Sequence, residues 1–180
     1  MSGCYIVVSG APGSGKTALA RPLAAALRVP LLSKDVVKET LFDELGVGDR
    51  LWSRRMGRAS MAVLYRIADT CPSAVIEAVF HRAVSVDDLH ALGKPLIELH
   101  CMCEPELAIA RFRQRAEVER HPGHLDSRQP SNKLEELVLD GCKPLHLGGP
   151  LLEVDTTGEI DVEAVAAWVR SQAEWEPGVD

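Results

Sequence analysis

The order of residues in YIVVSGAPGSGKTALA, residues 5–20, constrains this chain more than any other stretch of its sequence. The apolar, β-branched start at residues 5–9 is typical of a buried strand. Three glycines and a proline follow, and the tail from Lys16 favours a helix over residues 16–27. A strand, a glycine-rich turn and a helix in this order predict the first unit of a parallel α/β sheet.

The turn fills every fixed position of the pattern G-x-x-x-x-G-K-[ST] over residues 10–17. Side chains at Gly13 and Gly15 would obstruct backbone N–H groups that converge on phosphate oxygens. The following helix offers its unsatisfied N–H groups and its positive dipole end to the same anion. The sequence therefore predicts a P-loop that binds a nucleoside triphosphate, but the motif alone does not separate a kinase from a GTPase or a motor.

Individual P-loop residues have separate expected roles. Lys16 is expected to bridge the β- and γ-phosphates, and the Thr17 hydroxyl is expected to coordinate Mg²⁺. The expected nucleotide-binding set in this stretch is Gly10, Ala11, Pro12, Gly13, Ser14, Gly15, Lys16, Thr17 and Ala18.

Composition limits the class of protein. A chain of 180 residues suits one domain, and 46% hydrophobic with 26% charged residues is ordinary for a globular fold. The net charge of −6 argues against a broad nucleic-acid-binding surface. No apolar run approaches the ~20 residues that span a bilayer, and the start lacks the features of a signal peptide. We therefore expect a cytoplasmic protein with reduced cysteines and no membrane partner; the sequence does not predict an oligomeric state.

Strand and helix patterns alternate along the rest of the chain. Further strands are expected at residues 31–33, 74–79, 95–102 and 151–154, and further helices at 34–45, 52–68, 84–92, 105–116, 132–139 and 161–172. Intervening helices imply parallel pairing through right-handed crossovers. The expected fold is a single α/β P-loop NTPase domain over residues 1–180, a five-stranded parallel sheet flanked by helices. Residues 36–70 are the expected acceptor-binding helical region, and 111–130 the expected mobile lid.

The stretch LLSKD, residues 31–35, places a carboxylate directly after the second strand. Ligands of open α/β sheets bind outside the carboxyl ends of strands, so Asp35 is expected to face the P-loop. It would accept a hydrogen bond from an acceptor hydroxyl, and orientation matters more than basicity because the phosphoryl-transfer transition state is loose. The alternative is that Ser33 or Asp35 only caps the next helix.

The stretch AVIEAVF, residues 74–80, is an apolar strand interrupted by Glu77. A buried carboxylate is costly without a partner. A Mg²⁺–water cluster below Thr17 would supply one, so Glu77 is expected to contact the metal through water. A neighbouring Arg or Lys is the alternative partner.

Arginines recur in the stretch that begins RFRQR. On a helix Arg111 and Arg115 share a face, whereas Arg113 points elsewhere. Two guanidinium groups on a lid would neutralise charge that spreads during phosphoryl transfer, and Arg120 would join them at the nucleotide. The alternative is a solvated helix face.

Two further stretches leave their roles open. His121 and His124 flank a Pro-Gly pair, which suits a lid hinge, a substrate contact or an ordinary loop. Arg54 and Arg58 share a helix face that would bind an anionic acceptor or simply be solvated.

As an ordered set, the motifs GAPGSGKT, SKD, VIEAVF, RFRQR with RHPGH, and LLEVDTT resemble those of small P-loop kinases. That group includes zeta toxins, chloramphenicol phosphotransferase, gluconate kinase and the kinase domain of polynucleotide kinases. The resemblance implies a five-stranded parallel sheet, the cofactors ATP and Mg²⁺, and transfer of the γ-phosphate to a hydroxyl.

The resemblance also implies roles for particular residues. It makes Asp35 the carboxylate for the acceptor hydroxyl, and Arg111 and Arg115 the lid arginines. It places Asp155, Thr156 and Thr157 near the adenine. Many members of the group have Asp at the position of Glu77.

The expected activity is therefore ATP-dependent phosphorylation of a small molecule such as a sugar, amino sugar, nucleoside or antibiotic. The net charge of −6 favours a neutral or cationic acceptor. A polynucleotide 5′-hydroxyl kinase is an alternative, against which the charge and the lack of an aromatic stacking surface both count. A zeta-like toxin kinase is another. An ATPase switch without an acceptor would need a water-positioning residue in place of Asp35.

Overall fold

The structure, a computed structural model, describes residues 3–118, 121–125 and 131–172. Within these ranges one or two helices separate each strand from the next. The strands are β1 (Tyr5–Gly10), β2 (Leu31–Ser33), β3 (Ala74–Glu77), β4 (Leu96–Met102) and β5 (Leu151–Asp155). The helices are α1 (Lys16–Leu27), α2 (Lys34–Leu45), α3 (Arg50–Ala68), α4 (Arg82–His90), α5 (Pro105–Val118), α6 (Ser131–Gly141) and α7 (Val162–Gln172).

The five strands form one parallel sheet in the order β2-β3-β1-β4-β5. This confirms the fold class predicted from the alternation of strands and helices. The P-loop follows the central strand β1, and β3 separates β1 from β2. Glu77 is in register with Val8 on one side and with Ser33 on the other, so three strands end at the same edge.

Strand β1 is buried along its whole length because both faces of the sheet are covered. Successive side chains of β1 point to opposite faces of the sheet. Ile6 and Val8 therefore lie in a core shared with α1 and α7, and Tyr5 and Val7 lie in a core shared with α3 and α4. A third, smaller core packs α5 and α6 against the P-loop through Ala11. None of the helices in the described ranges is long and apolar enough to cross a bilayer.

Several element boundaries differ from the sequence-based expectation. Strand β3 ends at Glu77 rather than at residue 79, because its partner β2 ends at Ser33 and the ladder stops there. Helix α3 begins two residues earlier than expected, since the Asp49 carboxylate accepts a 2.8 Å hydrogen bond from the backbone N–H of Trp52 and caps its first turn.

Candidate active site

The P-loop glycines are required by the surrounding protein as well as by a phosphate. Gly13 and Gly15 have φ angles of 82° and 86°, which favour glycine. A Cβ on Gly13 would lie 2.1 Å from the backbone oxygen of Ala108 in α5. The loop and α5 therefore pack backbone to backbone at Gly13, which brings this helix against the predicted phosphate site.

Lys16 is buried at the start of α1, where its ammonium group donates to the carbonyl oxygens of Gly10 (3.0 Å) and Ala11 (2.6 Å). Burial lowers the pKa of Lys16, and the nearby carboxylates of Glu77 and Asp35 oppose that shift. The Lys16 ammonium group is therefore held in place by carbonyl groups of the P-loop itself.

Glu77 lies between two hydroxyl groups at the ends of β2 and α1. Its Oε2 accepts a 2.6 Å hydrogen bond from Ser33, and its Oε1 lies 3.4 Å from Oγ1 of Thr17. The glutamate is 6% exposed. A carboxylate and a hydroxyl are oxygen ligands of the kind that Mg²⁺ prefers, so the residues present fit the metal. Hydroxyl donors, rather than the Arg or Lys considered from the sequence, are its hydrogen-bonding partners here.

Asp35 occupies the first turn of α2 and is half-buried. It lines a cavity of about 1230 Å³ that Lys16, Thr17 and Glu77 also line. Such a volume exceeds the roughly 300–1,000 Å³ of a site for one small ligand. The neighbouring Ser33 makes no side-chain cap to α2, and its hydroxyl serves Glu77 instead.

The other predicted P-loop residues are divided between cavity and core. Pro12, Gly13, Gly15 and Ala18 line the cavity, whereas Gly10, Ala11 and Ser14 lie behind it. The Ser14 hydroxyl is buried without a hydrogen-bond partner among the described residues.

Arg111 and Arg115 both line the cavity from α5, as their shared helix face predicts, and Arg113 does not. The Arg111 guanidinium donates to the backbone oxygens of Thr156 (2.9 Å) and Thr157 (2.8 Å). The Nε of Arg115 is buried without a partner among the described residues. Arg115 therefore presents an unsatisfied donor at the cavity, whereas Arg111 is tied to the segment after β5. Arg120 lies outside the described residues.

Thr156 connects the end of β5 to the P-loop. Its side chain is buried and its hydroxyl is within hydrogen-bonding distance of the backbone oxygens of Ser14 and Met102. Thr156 lines the cavity, but Asp155 and Thr157 do not. Asp155 instead accepts hydrogen bonds from the Thr157 hydroxyl and N–H, which lower its pKa.

The His-Pro-Gly-His stretch packs on α2. His121 lies 3.0 Å from Asp43 and His124 lies 2.9 Å from Glu39, and both rings pack against Phe42. A Cβ on Gly123 would lie 2.2 Å from the Phe42 ring, so a glycine is needed for this approach. Of the two histidines only His124 lines the cavity.

Sequence reasoning missed a buried polar cluster behind the P-loop. Glu98 on β4 accepts hydrogen bonds from Ser9 (2.8 Å) and from the backbone N–H groups of Leu145 (2.6 Å) and His146 (2.9 Å). The signal was available, since Glu98 interrupts an apolar strand just as Glu77 does.

His100 completes that cluster beside Ser9. Its Nδ1 lies 3.0 Å from the Ser9 hydroxyl and its Nε2 lies 3.2 Å from the Cys142 oxygen. Because a carbonyl only accepts, Nε2 carries a proton. Burial lowers the pKa of His100. Through the contacts to Cys142, Leu145 and His146, the cluster anchors the loop after α6. No group of three or more metal-binding side chains occurs in the described ranges.

Comparisons with known proteins give the chain a family. A family model described as AAA domain matches residues 6–136. A candidate kinase from Chloroflexus aurantiacus J-10-fl is 39% identical, with a TM-score of 0.87 over 96% of this chain and 100% of that chain. A comparison with curated proteins found no match. The resemblance to small P-loop kinases that the motifs indicate is confirmed.

More distant structures share the fold. A gluconokinase from Sinorhizobium meliloti 1021 is 19% identical, with a TM-score of 0.59 over 95% of this chain and 94% of that chain. A shikimate kinase from Acinetobacter baumannii, in complex with shikimate, is 14% identical, with a TM-score of 0.57 over 94% of this chain and 91% of that chain. The architecture described above is therefore that of P-loop kinases.

Proposed function

The chain belongs to the AAA domain family, and we propose that it is an ATP-dependent kinase that phosphorylates a hydroxyl group of a small molecule. The observation that carries this proposal is one cavity shared by the P-loop, Glu77 and Asp35. The cavity has room for a nucleotide and a small acceptor together. Its lining thus combines the groups for phosphate binding with the Asp35 carboxylate, which follows β2 at the same edge of the sheet.

The proposed division of labour follows from the contacts of each residue. Lys16 and the P-loop N–H groups bind the phosphates, and Arg115 neutralises charge that spreads over the transferred group. Arg111 holds the segment at Thr156 against α5. We place the adenine at this segment. Thr17 would hold Mg²⁺ directly and Glu77 would hold it through water; the metal when bound polarises the phosphate oxygens.

Asp35 orients the acceptor. Its carboxylate accepts the hydroxyl proton as the hydroxyl oxygen bonds to the γ-phosphorus and the bond from that phosphorus to the β–γ bridging oxygen breaks. ADP and the phosphorylated acceptor are the products. A positioned carboxylate suffices because proton transfer is late in a loose transition state.

The test measures ADP formation with ATP, Mg²⁺ and a pooled metabolite extract, with mass spectrometry to find the phosphorylated product. We expect the extract to stimulate ADP formation, and Asp35→Asn to remove that stimulation. Asp87→Asn is the matched control, since Asp87 is exposed on α4 and does not line the cavity. Lys16→Ala should lower turnover about 10²–10³-fold, the effect of losing one preorganised donor to the transferred phosphate.

Two results would contradict the proposal. Near-normal turnover in Lys16→Ala would refute the P-loop assignment. ATP hydrolysis that no extract stimulates and that Asp35→Asn leaves unchanged would instead indicate a nucleotide-dependent switch.

A further inference from the structure

A row of arginines follows one face of α3 along the cavity. Arg50, Arg54 and Arg58 recur at intervals of four residues, and all three line the cavity. Arg55 lies on the same helix but outside the cavity lining. All four arginines are exposed, so what distinguishes the row from Arg55 is its position along the cavity.

Helix α2 adds two lysines to the same wall. Lys34 and Lys38 line the cavity one turn apart. The Lys38 ammonium group is held by the Ser53 hydroxyl at 3.1 Å and lies 5.3 Å above the Phe42 ring. The lining residues of α2 and α3 contain five basic side chains and one acidic side chain, Asp35. We call these five basic residues, Lys34, Lys38, Arg50, Arg54 and Arg58, the basic wall.

The basic wall is not neutralised by acidic neighbours at its centre. Among the described residues neither Arg54 nor Arg58 has an ion-pair partner, whereas Arg66 on the same helix lies 3.8 Å from Asp69. Like charges one helical turn apart destabilise a helix by a few tenths of a kcal/mol. An anion on the wall would remove that repulsion.

The cavity also offers a buried neutral donor at the far end of this wall. The Tyr65 hydroxyl is buried beside the Ser85 hydroxyl, which also lines the cavity. Burial, and then the negative charge of Asp88, raise the pKa of Tyr65 and keep its hydroxyl protonated. A polar ligand along α3 would therefore meet both cationic and neutral donors.

We propose that the acceptor of this kinase is a small anion, a hydroxylated compound that carries a carboxylate or a phosphate. Arg54 and Arg58 bind the anionic group while Asp35 receives the hydroxyl. This inference rests on the proposed kinase function. It departs from the preference for a neutral or cationic acceptor that the overall charge of −6 suggests. The basic wall, rather than the net charge of the chain, sets the preference for the acceptor, because salt screens interactions between surface charges that lie more than about 8–10 Å apart.

A small acceptor fits the wall better than a polynucleotide does. Stacking platforms for nucleic acid need several aromatic side chains along the groove. Among the described residues, the only Phe, Tyr or Trp side chain that lines the α2–α3 side of the cavity is that of Tyr65.

The test uses a metabolite extract of the expression host, separated on an anion exchanger into retained and unretained fractions. Each fraction is incubated with the full chain, Mg²⁺ and γ-labelled ATP. We expect a labelled low-mass product from the retained fraction. A product from the unretained fraction only would overturn the inference while leaving the kinase function in place. A nuclease-sensitive labelled product would identify the acceptor as a polynucleotide and would overturn the inference. No product from any fraction would overturn the kinase function itself.

Variants on α3 then locate the anion. Arg54→Ala and Arg58→Ala should each raise the KM for the retained acceptor about 10- to 100-fold, since a charge-assisted hydrogen bond is lost. Arg55→Ala, the matched control, should change it less than twofold, and Arg54→Lys should recover part of the loss. Acceptor-free ATP hydrolysis and melting temperature, measured on every variant, report on the nucleotide site and on folding. Equal KM values in Arg54→Ala and Arg55→Ala would overturn the role of the wall.

Discussion

Thr17 and Glu77 face each other at the mouth of the P-loop, with 3.4 Å between the threonine Oγ1 and the glutamate Oε1. The two residues lie 60 positions apart in the sequence and meet because β3 is the neighbour of β1. Ser33 fixes the other carboxylate oxygen at 2.6 Å. The orientation of Glu77 is therefore set before any metal binds.

Glu77→Gln should weaken Mg²⁺-dependent turnover. The amide keeps the size of the side chain but removes its charge, and losing an outer partner of a metal site typically costs about 10- to 100-fold in metal affinity or activity. The measurement is turnover against Mg²⁺ concentration. Glu153→Gln on the exposed edge strand β5 is the control. A Glu77→Gln variant with an unchanged Mg²⁺ dependence would remove Glu77 from the metal site.

Gly13→Ala should destabilise the protein through packing as well as through backbone conformation. Alanine at Gly148, a glycine of similar φ, measures the conformational part alone. Gly13 and Gly148 have similar φ angles of 82° and 78°, but only at Gly13 would a Cβ meet backbone atoms. Gly148→Ala should cost about 1–2 kcal/mol, the penalty of the left-handed conformation. Gly13→Ala should cost clearly more, since α5 must also move. Urea unfolding of the two variants measures the difference, and equal losses would contradict the packing of α5 on the loop.

The P-loop and the alternating elements could be predicted because their signals are local. The spacing of glycines, Lys16 and Thr17 follows from phosphate geometry alone, and hydrophobic patterns mark most strands and helices within two residues of their bounds. Strand order is different, since it depends on which chain segments meet after the crossovers. That β3 separates β1 from β2 could not be derived from any of the motifs.

Glu77 and Glu98 show where sequence reasoning stops. Each interrupts an apolar strand, and each is buried. Their partners differ: hydroxyl groups at the cavity for Glu77, and Ser9 with two backbone N–H groups for Glu98. The local pattern predicts that a buried carboxylate needs partners, but only the tertiary arrangement determines which of the two faces the candidate metal site.

Thr156→Val should lower nucleotide affinity through the P-loop. The valine keeps the shape but loses the hydroxyl that reaches the oxygens of Ser14 and Met102, a loss of about 0.5–1.5 kcal/mol. Thr70→Val is the control, because the exposed Thr70 hydroxyl donates to the Ile67 oxygen and Thr70 does not line the cavity. Calorimetry with ADP and Mg²⁺ should show weaker binding in the first variant alone. Equal affinities in both variants would contradict a link between β5 and the P-loop.

Glu98→Gln should destabilise the fold without touching the cavity. Because Leu145 and His146 donate to different oxygens of Glu98, the amide NH₂ would face one of these two backbone N–H groups, which leaves a buried donor unsatisfied and costs about 1–3 kcal/mol. Urea unfolding measures the loss, and Glu153→Gln should stay within about 0.5 kcal/mol of the wild type. Turnover at saturating substrate should persist at temperatures where the variant is folded. A variant as stable as the wild type would show that the cluster does not anchor the loop after α6.

The stability of the protein should fall above pH 9 through a buried thiol. Cys101 is in register with Gly10 at the base of the P-loop, and burial raises its thiol pKa from 9.0 to about 12. The folded state then keeps a proton that the unfolded state releases, so this contribution is complete below pH 9 and is lost as the pH rises toward 12. The slope cannot exceed about 1.4 kcal/mol per pH unit for one group. Urea unfolding of wild type and Cys101→Ala between pH 7.5 and 10 should give curves that converge with rising pH, whereas parallel curves would show that Cys101 titrates alike in both states.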